Sequence, residues 1–256
     1  MENVLSNKKV RLFIFLGVFF VTNALVAEFI GVKIFQLEDT LGWELFNWKL
    51  GEIEGTLQFS AGVLLWPLVF IMTDVINEYF GKRGVKFLSY LTVGLISYAF
   101  IMVYMAIYLA PAEWWVGVNE EVGTPNMQSA FSNVYGQSNW IIVGSLVAFL
   151  VGQVLDAFVF HRVRVIAGEG RIWLRATIST IVSQLIDSYV VLYIAFVLGP
   201  QKWPIDRFLA IGTVNYSYKV LMAILLIPLL YVAHNLIDRY LGEKSAEELR
   251  LEAVRS

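Results

Sequence analysis

Carboxylate, amide and ammonium side chains recur at helical spacing within the most apolar parts of this sequence. They form four groups, each of which a helix would present on one face: Asp74, Asn77 and Glu78; Gln153 and Asp156; Gln184 and Asp187; Asn215 and Lys219. An ionisable side chain in a lipid-embedded helix is costly unless it faces the interior of a helix bundle. Such groups could bind a polar ligand, relay protons, or act as a general acid and base.

A structural role is the alternative for each group. Asn and Gln side chains hold membrane helices together by hydrogen bonds, and Asp187 with Lys219 could form a simple buried ion pair. For the whole set this explanation is weaker, because the intramembrane carboxylates outnumber the single Lys219. The remaining carboxylates must be protonated, reached by an Arg from a loop, or paired with a ligand.

The elements that must position these side chains are transmembrane helices. The 256-residue chain is 58% hydrophobic, has a mean hydropathy of +0.66 and is only 16% charged. Long apolar runs predict an all-α membrane protein with six transmembrane helices around a central polar cavity, at residues 12–32, 57–76, 85–110, 139–160, 174–198 and 208–231. Residues 1–242 would form this domain, and residues 243–256 a charged cytoplasmic tail.

Composition also excludes several classes of function. The chain has no Cys and two His, so disulfides, thiol chemistry and a zinc site are not expected, and no cofactor is predicted. The net charge of −2 and the short basic clusters argue against nucleic acid as a partner. Small residues along helix faces are compatible with a homodimer.

The distribution of basic residues predicts the topology. Fourteen Lys and Arg residues flank the predicted helices on one side of the membrane, and only four on the other. Basic residues accumulate in cytoplasmic loops, so both termini are predicted to be cytoplasmic, as six crossings require. The outer loops at 32–56 and 111–138 are rich in Trp, which predicts short amphipathic segments along the membrane interface.

A rise of about 1.5 Å per residue sorts the polar groups by depth. A central layer near the midplane would contain Asn23, Gln184, Asp187 and Lys219. A second layer near the cytoplasmic face would contain Asp74, Asn77, Glu78, Gln153 and Asp156.

Four segments together resemble the queuosine precursor transporter family, a branch of the vitamin-uptake-like transporters. They are Asp74-x-x-Asn77-Glu78-x-x-Gly81, Gly152-Gln153-x-x-Asp156, Arg175-x-x-x-Ser179-Thr180-x-x-Ser183-Gln184-x-x-Asp187-Ser188 and Asn215-Tyr216-x-Tyr218-Lys219. The resemblance implies a bacterial inner-membrane protein that takes up 7-cyano-7-deazaguanine, 7-aminomethyl-7-deazaguanine or queuine for tRNA modification.

The residues suit such a substrate. A 7-deazaguanine presents a ring N–H beside an exocyclic amine, and one carboxylate can accept from both. Its carbonyl needs a donor, which Lys219, Asn215 or a Gln would supply, and its flat ring system favours an apolar or aromatic surface. Asp187, Gln184 and Lys219 are the residues predicted to contact the base directly.

Three other functions stay open at this stage. The chain could be the substrate-binding subunit of an energy-coupling vitamin transporter, since the resemblance implies relatives that use a separate energising complex. It contains no nucleotide-binding motif with which to hydrolyse ATP itself. Paired carboxylates could serve an intramembrane enzyme, although no nucleophile and base are evident, so transport rather than catalysis is predicted. The third alternative is a membrane scaffold.

Overall fold

The computed structural model describes residues 6–168 and 171–255 and is almost entirely helical. The helices are α1 (Lys8–Ile30), α2 (Leu37–Leu41), α3 (Trp66–Tyr108), α4 (Glu113–Val116), α5 (Met127–Tyr135), α6 (Asn139–Ala167), α7 (Ile172–Leu192), α8 (Ile205–Leu225), α9 (Ile227–Leu241) and α10 (Glu243–Arg255). The strands are β1 (Ile34–Gln36), β2 (Trp48–Leu50), β3 (Ile53–Gly55) and β4 (Gln58–Ser60). A π-helical turn at Tyr193–Leu198 extends α7.

Apolar side chains cover the outside of the bundle as well as its core. Among the described residues, five helical segments are long and apolar enough to cross a membrane: Lys8–Ile30, Trp66–Tyr108, Met127–Ala167, Ile172–Leu198 and Ile205–Leu225. Phe15 and Val18 on α1, like Val143 and Val147 on α6, are exposed and would face lipid. The prediction of an all-α membrane protein is confirmed.

Helix α3 reverses direction at Gly81. This residue has φ +66° and ψ −174°, a left-handed conformation that a glycine adopts without strain. Eight residues of continuous helix would separate Ile76 from Gly84 by about 12 Å. Instead, a Cβ added at Gly84 would lie 3.6 Å from Cγ2 of Ile76. The 43-residue helix α3 is therefore two arms, Trp66 to Phe80 and Lys82 to Tyr108, that pack side by side.

Both ends of the described chain lie at one end of the bundle, called here the terminal end. Lys8 Nζ donates to the carbonyl oxygen of Tyr240 at 2.9 Å, which joins the start of α1 to the end of α9. Helix α10 also packs there, with Ala246 and Leu249 buried in the main hydrophobic core. The opposite end, called the loop end, carries the segment from residue 31 to residue 65.

The loop end contains β-structure that the sequence patterns did not predict. Strand β1 pairs with β4 in antiparallel register, and β2 pairs with β3. Within 32–56 the structure has the strands β1, β2 and β3 and the short helix α2. The placement of this segment along the membrane interface stays a prediction. The predicted second helix at 57–76 begins only at Trp66, because residues 58–60 pair with β1 and Pro67 occupies the first helical turn.

Candidate functional site

A large cavity of about 1180 Å³ opens at the loop end. Its walls come from α1, α6, α7, α8 and the strands, and its polar lining includes Glu28, Ser145, Ser188, Arg207, Asn215 and Lys219. Aromatic rings of Trp48, Phe59, Trp66 and Trp203 also line it. The volume is large enough for a small organic ligand and its hydration water.

A much smaller cavity of about 30 Å³ adjoins the large one. Its polar lining consists of Asp74, Thr177, Thr180, Gln184 and Lys219, and its aromatic lining of Trp66, Phe70 and Tyr218. Trp66 and Lys219 line both cavities, so these two side chains form part of the boundary between them. The space would hold about two water molecules and is too small for a bicyclic base.

An ion pair lies at this boundary. Lys219 Nζ is 2.5 Å from Oδ2 of Asp187, with the two side chains 16% and 14% exposed. Lys219 belongs to α8 and Asp187 to α7, so the ion pair joins these two helices. Asp187 and Lys219, two of the four residues predicted for the central layer, therefore meet, as their calculated depths required.

Gln184 is the most conspicuous polar group of the small cavity. It is 2% exposed, and neither Oε1 nor Nε2 has a hydrogen-bond partner within residues 6–168 and 171–255. Thr177 Oγ1, which lines the same cavity, is also without a partner there. A buried amide that lacks partners costs free energy, which a ligand able to donate and accept would recover.

Asp74, Gln184 and Lys219 all line the small cavity. On α7 the hydrogen bond to Asp74 Oδ1 comes from Ser179 Oγ, at 3.5 Å, and Ser179 lies five residues from Gln184 on the side of Arg175. The three residues thus line one cavity from different depths, and the division into two layers stays a prediction.

The remaining carboxylate and amide groups of α3 and α6 lie behind this cavity in a buried network. Ser183 Oγ donates to Asp156 Oδ1 at 3.0 Å, and Thr73 Oγ1 donates to Gln153 Oε1 at 2.6 Å. Asn77 Nδ2 donates to the carbonyl oxygen of Ala157 at 3.2 Å. Asp156, Gln153 and Asn77 are almost fully buried and do not line either cavity, so they join the helices in this conformation.

An ionic cluster closes the terminal end. Arg175 donates to Glu78 Oε1 at 2.7 Å, and Arg164 lies 3.5 Å from the same oxygen. Arg164 also donates to the carbonyl oxygens of Glu78 and Arg250, at 3.0 and 3.1 Å. These contacts join α3, α6, α7 and α10 where a path to the terminal end would have to open. Glu78 is thus reached by Arg side chains, one of the three options open to an intramembrane carboxylate.

Two predicted residues have different surroundings. Asn23 donates to the carbonyl oxygen of Phe19 in its own helix at 2.8 Å and does not line either cavity. Asn215 lines the large cavity only. The sequence interpretation omitted Trp66 and gave Glu28 no specific role, although both line the large cavity. Arg175 is part of the third motif but was not predicted as a site residue. Its spacing of four residues from Ser179, on the same helix face, was the available signal that it would pair with a buried carboxylate.

Comparison with known proteins identifies the family of this chain. Residues 60–233 match the model of a family described as "putative vitamin uptake transporter". A "probable queuosine precursor transporter" of Bacillus subtilis (strain 168) is 30% identical over 185 residues, which cover 71% of this chain and 74% of that protein. The "queuosine precursor transporter" of Escherichia coli (strain K12) is 28% identical over 188 residues, or 72% of this chain and 76% of that protein.

This chain belongs to the queuosine precursor transporter family. The family that the four motifs indicated is therefore confirmed, as is the prediction of a transporter and not an enzyme. A member of this family is a multi-pass membrane protein with a small-molecule substrate. No solved structure matches the chain.

Proposed function

We propose that this protein imports queuosine precursors, the 7-deazaguanine bases that supply queuosine modification of tRNA. The relatives' names support the substrate class, and the small cavity supports the chemistry. The unpartnered amide of Gln184, between Asp74 and Lys219, is the observation that carries the proposal. An amide offers both a donor and an acceptor, and the base edge carries a carbonyl beside ring and exocyclic N–H groups.

The two cavities support transport by alternating access. A substrate would enter the large cavity from the loop end and move past Trp66 and Lys219 toward Gln184 as the small cavity widens. Release would require the cluster of Glu78, Arg164 and Arg175 to separate at the terminal end. Trp66, Phe70 and Tyr218 would cover the faces of the flat ring system.

The proposed orientation places the terminal end in the cytoplasm of a bacterial cell, with the protein in the inner membrane. Six crossings are proposed, because α3 supplies two arms and both ends of the described chain lie together. The basic residues concentrated at this end support that orientation. Residues 1–242 would form the transport domain.

The first experiment measures queuosine in tRNA of cells that lack both this gene and the synthesis of the precursor. Cells that express the wild-type chain and are fed a 7-deazaguanine should make queuosine, whereas Gln184→Leu should reduce uptake at least about tenfold, the effect of losing a buried polar contact. Gln36→Leu, at a partly exposed position in β1 that lines neither cavity, is the matched control and should retain uptake. Normal uptake by Gln184→Leu would contradict the assignment of the site.

A second arm uses the purified chain in liposomes. Uptake of unchanged base by the chain alone would exclude an obligatory energising complex and any chemical conversion. Uptake only after addition of a partner complex would instead favour the substrate-binding subunit.

A further inference from the structure

Glu28 is a buried carboxylate that the ion pairs described above leave out. Its side chain lines the large cavity and is 6% exposed. Ser145 Oγ donates to Oε2 at 3.0 Å, while Oε1 has no hydrogen-bond partner among the described residues. A carboxylate in this situation is expected to bind a proton or a donor group of a ligand.

The surroundings of Glu28 favour a ligand with several donor and acceptor groups. Ser188 Oγ lines the same cavity, is buried, and lacks a hydrogen-bond partner within the described part of the chain. The hydrogen bond from Gln137 Nε2 to the carbonyl oxygen of Glu28, at 2.9 Å, holds the backbone at this position. Asn215 and Lys219 also line the cavity and would supply donors to an acceptor group.

The other carboxylates around the cavities are less suited to a substrate that has just entered. Asp187 already accepts from Lys219 at 2.5 Å. Asp74 lines only the small cavity of about 30 Å³, which cannot hold a base in this conformation. Glu52 and Glu54, in the strand segment of the large cavity, are both exposed, and Glu54 is paired with Lys49 at 2.7 Å.

We propose that Glu28 is the first recognition site for the donor edge of the substrate, within the large cavity. Its carboxylate accepts from a ring N–H and the adjacent exocyclic amine of a guanine-type base, and Asn215 or Lys219 donates to the base carbonyl. Glu28 therefore selects bases that carry the exocyclic amine over those that lack it. This inference rests on the proposed function and assigns the selectivity to a residue outside the small cavity.

The test is a cycle of two ligands and two proteins. Binding of 7-cyano-7-deazaguanine and of the matching 7-cyano-7-deazahypoxanthine, which lacks the exocyclic amine, is measured by calorimetry on the purified chain in detergent. The wild type should bind the first base about 10- to 100-fold more tightly, the effect of a hydrogen bond to a charged group. Glu28→Gln should remove most of that ratio by weakening the first base, with the second changed less than about threefold.

Glu54→Gln is the matched control, because it neutralises an exposed carboxylate of the same cavity, and it should retain the wild-type ratio. Nearly unchanged binding of the hypoxanthine-type base also shows that Glu28→Gln is folded. A wild-type ratio in Glu28→Gln, with the ratio lost in Asp74→Asn or Asp187→Asn, would overturn the assignment of Glu28 but not the proposed function. An equal loss of both bases in Glu28→Gln would also count against selectivity at Glu28. A wild-type chain that binds neither base would overturn both.

Discussion

The pair of Asp187 and Lys219 shows how one ion pair can separate two spaces inside a membrane protein. Each side chain is mostly buried, and the 2.5 Å contact lies where the large and small cavities meet. A buried charge that loses its partner is costly, whereas an intact pair adds little net stability. Breaking this pair during transport therefore requires a substrate that replaces the lost contacts.

Lys219→Met should lower the stability of the protein by about 3 kcal/mol, because Asp187 remains buried without its cation. Asp187→Asn should also destabilise, and the double variant should be more stable than the sum of the two effects predicts. Thermal unfolding in detergent, followed by Trp fluorescence, measures all four proteins. Additive effects would show that the two side chains do not interact in the folded protein.

Sequence reasoning predicted part of this site. The rise per residue brought Asp187 and Lys219 to one depth, because both helices are continuous from the membrane surface to those positions. It counted the depth of Asp74 from Leu57, although strand β4 delays the helix start by nine residues. It gave Glu28 no specific role, because a carboxylate near the end of an apolar segment is also consistent with snorkelling. Whether a buried polar atom lacks a hydrogen-bond partner depends on how the helices pack, and the spacing of residues in the sequence does not specify that packing.

Among the elements, helix α10 packs on the bundle although its composition is that of an exposed, charged helix. Glu243–Arg255 is charged, yet Ala246, Leu249 and Ala253 form a buried stripe of the helix. A guanidinium nitrogen of Arg250 donates to both carboxylate oxygens of Asp238, at 2.9 and 3.0 Å. Partial burial opposes its charge, but these bonds raise the pKa of Arg250 above its ordinary value. The segment predicted as a charged tail thus packs on α3 and α9.

Leu249→Ala should destabilise the protein by about 2 to 3 kcal/mol, because it leaves a cavity between α10 and the main core. Glu247→Ala, on the exposed face of the same helix, is the control and should change the stability by less than about 0.5 kcal/mol. The measurement is the thermal unfolding midpoint in detergent. An unchanged midpoint for Leu249→Ala would mean that α10 does not contribute to the stability of the bundle.

The elements themselves were predicted unevenly. The reversal near Gly81 followed from the basic residues Lys82 and Arg83, since a cytoplasmic turn had to interrupt the apolar pattern there. The strands at the loop end are three residues each, too short for an alternating pattern to identify them. The packing of helix α10 was not predicted, because small and apolar residues scattered among charges are as typical of a solvated helix as of a docked one.

At the scale of the whole molecule, the two ends differ in how they are closed. The loop end opens into the large cavity, whereas the terminal end is joined by the Glu78 cluster and by α10. An interior reached from only one side at a time is the requirement for alternating access. Because the chain has no Cys, a single introduced thiol reports on one position only.

Ser145→Cys, at a partly exposed position in the large cavity, should react with a small membrane-impermeant thiol reagent added outside intact cells. Ser179→Cys should react from neither side, because Ser179 is fully buried between the small cavity and the closed terminal end. Adding Glu78→Gln to Ser179→Cys should weaken the contacts to Arg175 and expose the thiol to reagent from the cytoplasmic side of inverted vesicles.

Glu247→Cys, on the exposed face of α10, is the control for orientation and should react only in inverted vesicles. Labelling of Glu247→Cys in intact cells would contradict the proposed topology. If Glu78→Gln left Ser179→Cys unreactive, the ionic cluster would not be the element that closes the terminal end.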